Sequence, residues 1–174
     1  MDYFLLKQDE RYTDVPLLLD LMKKIDLRSI NQMDAHKIED TTLFYVRAEE
    51  ESSFLDILDR QLYLVSDGLK KILEKYVPNT LFKMMILIDK KNERQENYFL
   101  PIFEEVEALS PNCEFNLDKS VIKKLVLDGE KIKGKKIFKI KESEKPMIVV
   151  RLDAAESILR RGFEGIRLEK IQVE

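Results

Sequence analysis

Apolar and polar positions along the chain change period several times, and those changes mark out the elements. The opening DYFLLK is a short apolar run rich in strand formers and predicts a strand near the core. From Leu17 to Ile25 apolar residues fall at 17, 18, 21, 22 and 25, a helical spacing at strand-like density, which predicts a short helix or an irregular packed segment. Asp34 to Asp40 reads as a polar connection, and TTLFYVR, aromatic and β-branched, reads as a strand ended by AEEESS. A second apolar piece, FLDILDRQLYLVS, leads into the clearest helix start. There Ser66 can cap, Asp67 suits the positive end, and Leu69, Ile72, Leu73 and Tyr76 form one stripe before Pro78.

LFKMMILID and NYFLPIFEEVEAL, separated by the charged tip KKNERQE, predict an antiparallel hairpin closed by a loop. Beyond Pro111, the strand candidates are VIKKLVLDG, KKIFKIK and PMIVVRL, the first of which starts equally well as a helical turn. Near the end, Asp153 and Glu156 have capping-box spacing, and Ile158 and Leu159 are expected to face the core. Gly162 sits where a left-handed residue ends a helix, Phe163 can pack back on it, and IRLEKIQV alternates as a half-buried strand does. The tally predicts an α+β fold: a mainly antiparallel sheet with a few packed helices in one compact unit. Residues 1–174 read as a single domain, with two small lobes left open.

Composition narrows the function classes. Apolar residues at 44% and charged residues at 36% predict a folded chain rather than a disordered one. A net charge of -3 supplies no field that would draw the chain onto nucleic acid or an anionic membrane. One cysteine, Cys113, and one histidine, His36, cannot build a Cys/His zinc cage, so neither metal nor cofactor is expected. The start MDYFLLKQDERY lacks a basic leader and VPLLLDLMKKI is too short to span a membrane, which predicts a cytoplasmic location.

Candidate chemistry is sparse. GEKIKGKK matches the phosphate-loop spacing at Gly129, Gly134 and Lys135, but Lys136 stands where Ser or Thr would hold magnesium, and an exposed turn is the expectation. His36 with Glu39 and Asp40 could form a base and its orienting carboxylates, whereas Ser66 already has a capping role. Cys113 has no basic neighbour in sequence and reads as a partly buried thiol. Glu104, Glu105 and Glu107 fall on a probable strand, with Glu105 and Glu107 on one face. Charge is segregated instead: acidic residues predominate between Asp34 and Arg60, and basic ones between Lys119 and Lys145. Such segregation can steer a charged protein partner, or let copies of the chain attract one another.

In order along the chain, YFLLKQDERYTDVPLL, LVSDGLKKILEKYVPNTLF, YFLPIFEEVEAL, LDKSVIK, KKIFKIK and ESILRRGFEGIRLE resemble bacterial proteins of immunity protein family 11. That family, formerly a domain of unknown function, is associated with polymorphic toxin systems. The resemblance implies a cytoplasmic protein, encoded beside a toxin, that binds the toxin domain and blocks it by direct contact. It carries over no catalytic residue. If the toxin is a basic nuclease, the expected contact residues are Glu49, Glu50, Glu51, Asp56 and Asp59. The alternative is a small, hydrolase-like cytosolic enzyme with dispersed catalytic groups, His36 or the Glu105/Glu107 pair lying in a concave pocket. A scaffold protein is a third class, and the oligomeric state is left open.

Overall fold

The computed structural model describes residues 1–174. In chain order its first half holds β1 (Tyr3–Gln8), β2 (Leu17–Leu18), α1 (Leu21–Lys24), β3 (Thr41–Arg47), β4 (Ile57–Leu58), β5 (Leu64–Ser66), α2 (Asp67–Tyr76) and β6 (Leu81–Asp89). The second half holds β7 (Arg94–Ile102), β8 (Glu105–Val106), β9 (Glu114–Phe115), β10 (Ile122–Lys124), β11 (Val126–Leu127), β12 (Ile137–Ile140), β13 (Ile148–Arg151), α3 (Leu152–Leu159) and β14 (Ile166–Val173).

Two six-stranded sheets result. The first has the order β11-β14-β1-β13-β12-β8, and the second β2-β3-β6-β7-β5-β4; β9 and β10 form a separate hairpin. The α+β class is as expected. The antiparallel character holds only in part, because β3 pairs with β6, β12 with β8, and β11 with β14 in parallel. Antiparallel neighbours can be joined by tight turns, whereas these parallel pairs need long connections, such as the one that carries α2 between β3 and β6.

Strand composition follows cover. The first sheet is covered on both sides, so β1 is apolar at every position from Tyr3 to Leu6. Leu6 and Val150 pack toward the second sheet with α2 and α3, while Tyr3 and Val149 pack against Ala108, Leu109 and Leu127. A third cluster fills the opposite side of the second sheet, where Phe44, Met85, Leu87 and Leu100 meet Val15, Leu18, Ile25 and Ile38. The cluster between the sheets takes Leu6 from one and Val65 and Phe99 from the other, so burial of that apolar surface couples the two sheets. Buried polar atoms at the same joint are satisfied. Tyr63 Oη donates to Leu6 O at 2.8 Å there; on the far side of the second sheet Tyr98 Oη donates to Leu55 O at 2.7 Å, and burial raises the pKa of both phenols.

The helix after Ser66 forms as expected: Ser66 Oγ accepts from Leu69 N–H at 3.3 Å, and Leu69, Ile72 and Leu73 are buried. The closing helix departs from expectation. It starts at Leu152, so Asp153 lies inside its first turn and pairs with Arg151 instead of capping. The free Leu152 N–H is taken by Asp2 O at 2.9 Å, an acceptor supplied by the strand alongside, and no capping box is needed. Leu159 is exposed, not buried, because the helix ends there and turns away. Gly162 has φ 65° and Gly165 φ 74°, so both glycines of the turn adopt the left-handed conformation. No helix is long and apolar enough to cross a membrane.

Candidate functional site

Strands β3 and β6 carry apolar residues at both parities, a pattern suited to a sheet covered on both faces. Their parallel register sets Phe44 beside Leu87 and Thr42 beside Met85, and Phe44, Met85 and Leu87 are fully buried. Leu43 beside Ile86 and Tyr45 beside Ile88 form the opposite row. On that side α2 covers only the β5–β7 end, through Val65, Phe99, Phe82 and Met84. The remainder is open. Leu43 is 37% and Tyr45 41% exposed, with Ile86 and Ile88 half-buried between them. Lys90 lies 4.1 Å above the Tyr45 ring, and Lys24 donates to Leu43 O at the strand's free edge.

The acidic candidates divide at this end of the sheet. Glu49, Glu50 and Glu51 lie exposed in the connection after β3, which is fastened to the β6–β7 turn. Arg94 fastens it by donating to Glu49 O and to Glu50 O at 3.2 Å, while its Nε holds Asp89 at 3.0 Å. Burial pushes the Asp89 carboxyl up, but hydrogen bonds from Asn92 and Arg94 outweigh it and the pKa lies below the ordinary value. Glu49 is paired with Lys91 at 2.6 Å, leaving Glu50 and Glu51 free. The hairpin turn adds Glu93, exposed and unpaired, whereas Glu96 of β7, also exposed, stands opposite Leu87 and so faces the other side of the sheet from Tyr45. The expected tip KKNERQE is therefore shorter than read, since Arg94, Gln95 and Glu96 belong to β7.

Asp56 and Asp59 lie elsewhere, in the joint between the sheets. Asp56 accepts from Ser66 Oγ and from Glu164 N–H, both at 2.6 Å. Asp59 accepts from Gln8 N–H at 2.9 Å while its own N–H donates to Gln8 Oε1 at 3.1 Å. Their carboxylates serve the fold, because each satisfies backbone groups of a distant segment.

The catalytic candidates are dispersed. His36 is exposed beside a shallow groove with Glu39, Asp40 and Lys83, and its Nδ1 lies 3.0 Å from Met33 O. Glu104 is paired with Lys135 at 2.5 Å and Glu107 with Lys141 at 3.3 Å; only Glu105 of the three belongs to β8. Cys113 is half-buried, with Sγ 2.9 Å from Val126 O. GEKIKGKK forms turns, with Gly134 at φ 76° and Lys135 engaged by Glu104. No three His, Cys, Asp or Glu side chains converge as metal ligands would.

The open row Leu43, Tyr45, Ile86 and Ile88 went unnoticed in the sequence, although its signal is there. Apolar residues on both parities of a strand demand cover on both faces, and only the fold reveals that one face lacks it. Neither a protein-family model nor a curated protein matches this sequence.

Proposed function

We propose that this chain is an immunity protein, of the kind found in polymorphic toxin systems and resembling immunity protein family 11, that neutralises a toxin domain by direct contact in the cytoplasm. The observation that carries the reading is the open face of β3 and β6: an uncovered apolar row, with the exposed Glu50 and Glu51 in the connection that follows β3. Protein interfaces have this anatomy, with an aromatic and aliphatic centre and a charged rim. Tyr45 is the central anchor, and Glu50, Glu51 and Glu93, in the connections that follow β3 and β6, are the carboxylates offered to a basic toxin surface. Asp56 and Asp59 support the fold behind it.

The test is co-expression with the C-terminal domain of the protein encoded next to this one, reading host growth, followed by binding kinetics on the purified pair. Tyr45→Ala should weaken the complex by at least about tenfold, as an interface anchor does. Charge reversal at Glu49, Glu50 and Glu51 should slow association by about tenfold and flatten its salt dependence. A toxin domain neither bound nor neutralised by the wild-type chain overturns the immunity reading. Binding that is insensitive to both variants overturns the placement on this face.

A further inference from the structure

Strand β14 lies at one margin of the first sheet and is only half used there. It pairs with β1 from Ile166 to Ile171, but its other edge meets β11 only at Gln172 and Val173. The ladder with β1 has a fixed alternation. Asp9 N–H donates to Gly165 O, and the registers of Lys7 with Arg167 and Leu5 with Glu169 keep that parity, so the backbone groups of Arg167 and Glu169 point at β1. Those of Ile166, Leu168 and Lys170 point the other way, and no segment of the chain pairs with them. A row of open N–H and C=O groups of this kind is the template on which a further strand assembles.

The side chains along this edge are matched to a second copy of the same strand. Arg167 and Glu169 stand on one face, two residues apart, with their side chains 44% and 37% exposed. When two β14 strands run antiparallel with Leu168 opposite Leu168, Arg167 of each copy falls opposite Glu169 of the other, and Ile166 falls opposite Lys170. A shift of two residues either way opposes Arg167 to Arg167 or Glu169 to Glu169, and a shift of one turns the faces over, so a single register is favoured. Charged side chains commonly keep an edge strand from pairing with other chains. Here their alternation admits one antiparallel partner, which is the strand itself. On the opposite face Ile166 and Leu168 line a groove with Phe4 and with Leu159 of α3, which is 68% exposed, so the joined strands bring apolar surface together there.

We infer that β14 is the interface of a twofold homodimer, in which two copies join their first sheets by antiparallel pairing of residues 166–170 centred on Leu168. The contact is isologous and therefore closes on itself. In this register Leu168 exchanges both backbone bonds with Leu168, and Ile166 does so with Lys170 at each end, so every open N–H and C=O of the edge finds a partner. Arg167 and Glu169 then form the non-hydrogen-bonded pairs, where side chains across a ladder come closest. Within one copy Glu169 is held by Lys7 at 2.9 Å and by Arg167 at 3.2 Å, and Glu10 holds Arg167 at 2.9 Å. Each copy thus brings a neutral cluster of two cations and two carboxylates to the contact, with opposite signs facing. The contact lies on the first sheet and does not rest on the toxin-binding role given to the β3–β6 face of the second.

Sedimentation velocity on the full chain, without toxin, tests this. At about 200 µM the wild type should sediment as a species of twice its 20.6 kDa monomer mass. Arg167→Glu and Glu169→Arg each place like charges opposite one another at both ends of the pairing, and each variant alone should stay monomeric. Mixed together they should form a dimer, because every opposed pair is again of unlike sign. Should a reversal misfold, as judged by melting temperature, Arg167→Gln and Glu169→Gln replace it and should each weaken the dimer by about tenfold. Hydrogen exchange locates the contact: the amides of Ile166, Leu168 and Lys170 should exchange at least about fivefold more slowly at about 200 µM than at about 5 µM. A wild type that stays monomeric overturns the proposal and leaves the edge to a strand of another protein. A dimer indifferent to the charge variants, reversals that remain monomers when mixed, or a dimer without added protection at those amides would overturn it as well.

Discussion

Replacing Gly165 with alanine separates two costs that left-handed glycines usually confound. At φ 74°, any side chain carries the steric penalty of the left-handed region, about 1–2 kcal/mol. At Gly165 a Cβ would also fall 2.6 Å from Leu55 Cδ1 and 2.7 Å from Leu55 Cγ, well inside contact distance. Leu55 cannot easily withdraw, being 1% exposed within the cluster of the second sheet. The backbone cannot shift freely either, since Gly165 O accepts from Asp9 N–H at 2.8 Å and the neighbouring Glu164 O accepts from Asp56 N–H at 3.0 Å. Overpacking of this kind adds about 1–3 kcal/mol, for a total of about 2–5 kcal/mol. Gly162 is the control: its φ of 65° is similar, but nothing lies within 4 Å of a Cβ there, so Gly162→Ala should cost only about 1–2 kcal/mol. Urea unfolding measures the two losses. In thermal melts a domain of this size should lose about 2–4 °C per kcal/mol. Adding Leu55→Ala to Gly165→Ala should cost less than the sum of the single losses, because the clash disappears with its partner. Equal losses at the two glycines, or a strictly additive double variant, would refute the steric reasoning.

Two further outcomes concern charges. Asp56→Ala leaves Ser66 Oγ and Glu164 N–H without their acceptor and should destabilise by about 1–3 kcal/mol, whereas Glu50→Ala and Glu51→Ala should stay within about 0.5 kcal/mol; urea midpoints decide it. Asp9 bears on acid stability. Hydrogen bonds from the Arg11 side chain and backbone hold its pKa down at about 2, from an ordinary 3.8. Because the folded value is the lower one, the stabilisation is complete above the ordinary value and is lost as pH falls from about 4 through about 2. Arg11→Gln should flatten the acid limb of a stability profile over that window; an unchanged limb would show that the pair contributes nothing.

Local order was readable where it rests on neighbours in sequence. Ser66 with Leu69, Ile72 and Leu73 specifies a capped helix within ten residues, and it forms as read. The β6–β7 hairpin was equally plain, because its strands are adjacent and apolar on both sides of a charged turn. Where a distant segment supplied the partner, the reading failed. The Asp153 capping box was displaced by Asp2 O from the far end of the chain. Nor could the sequence show that Gln8, Ser66 and Glu164 hydrogen-bond the carboxylates of Asp59 and Asp56.

The sequence alone therefore determined the capped helix after Ser66, the β6–β7 hairpin, the α+β class and the left-handed Gly162, all properties of local periodicity and backbone sterics. Tertiary structure decided the pairing: that β1 lies between β13 and β14, and that three strand pairs run parallel. It also decided which charges are free. A carboxylate or lysine in the sequence is only a candidate until the fold places, or withholds, a partner within hydrogen-bonding distance. By the same rule an apolar strand face stays open to solvent when the helix that could cover it stops short, as α2 does before Leu43 and Tyr45.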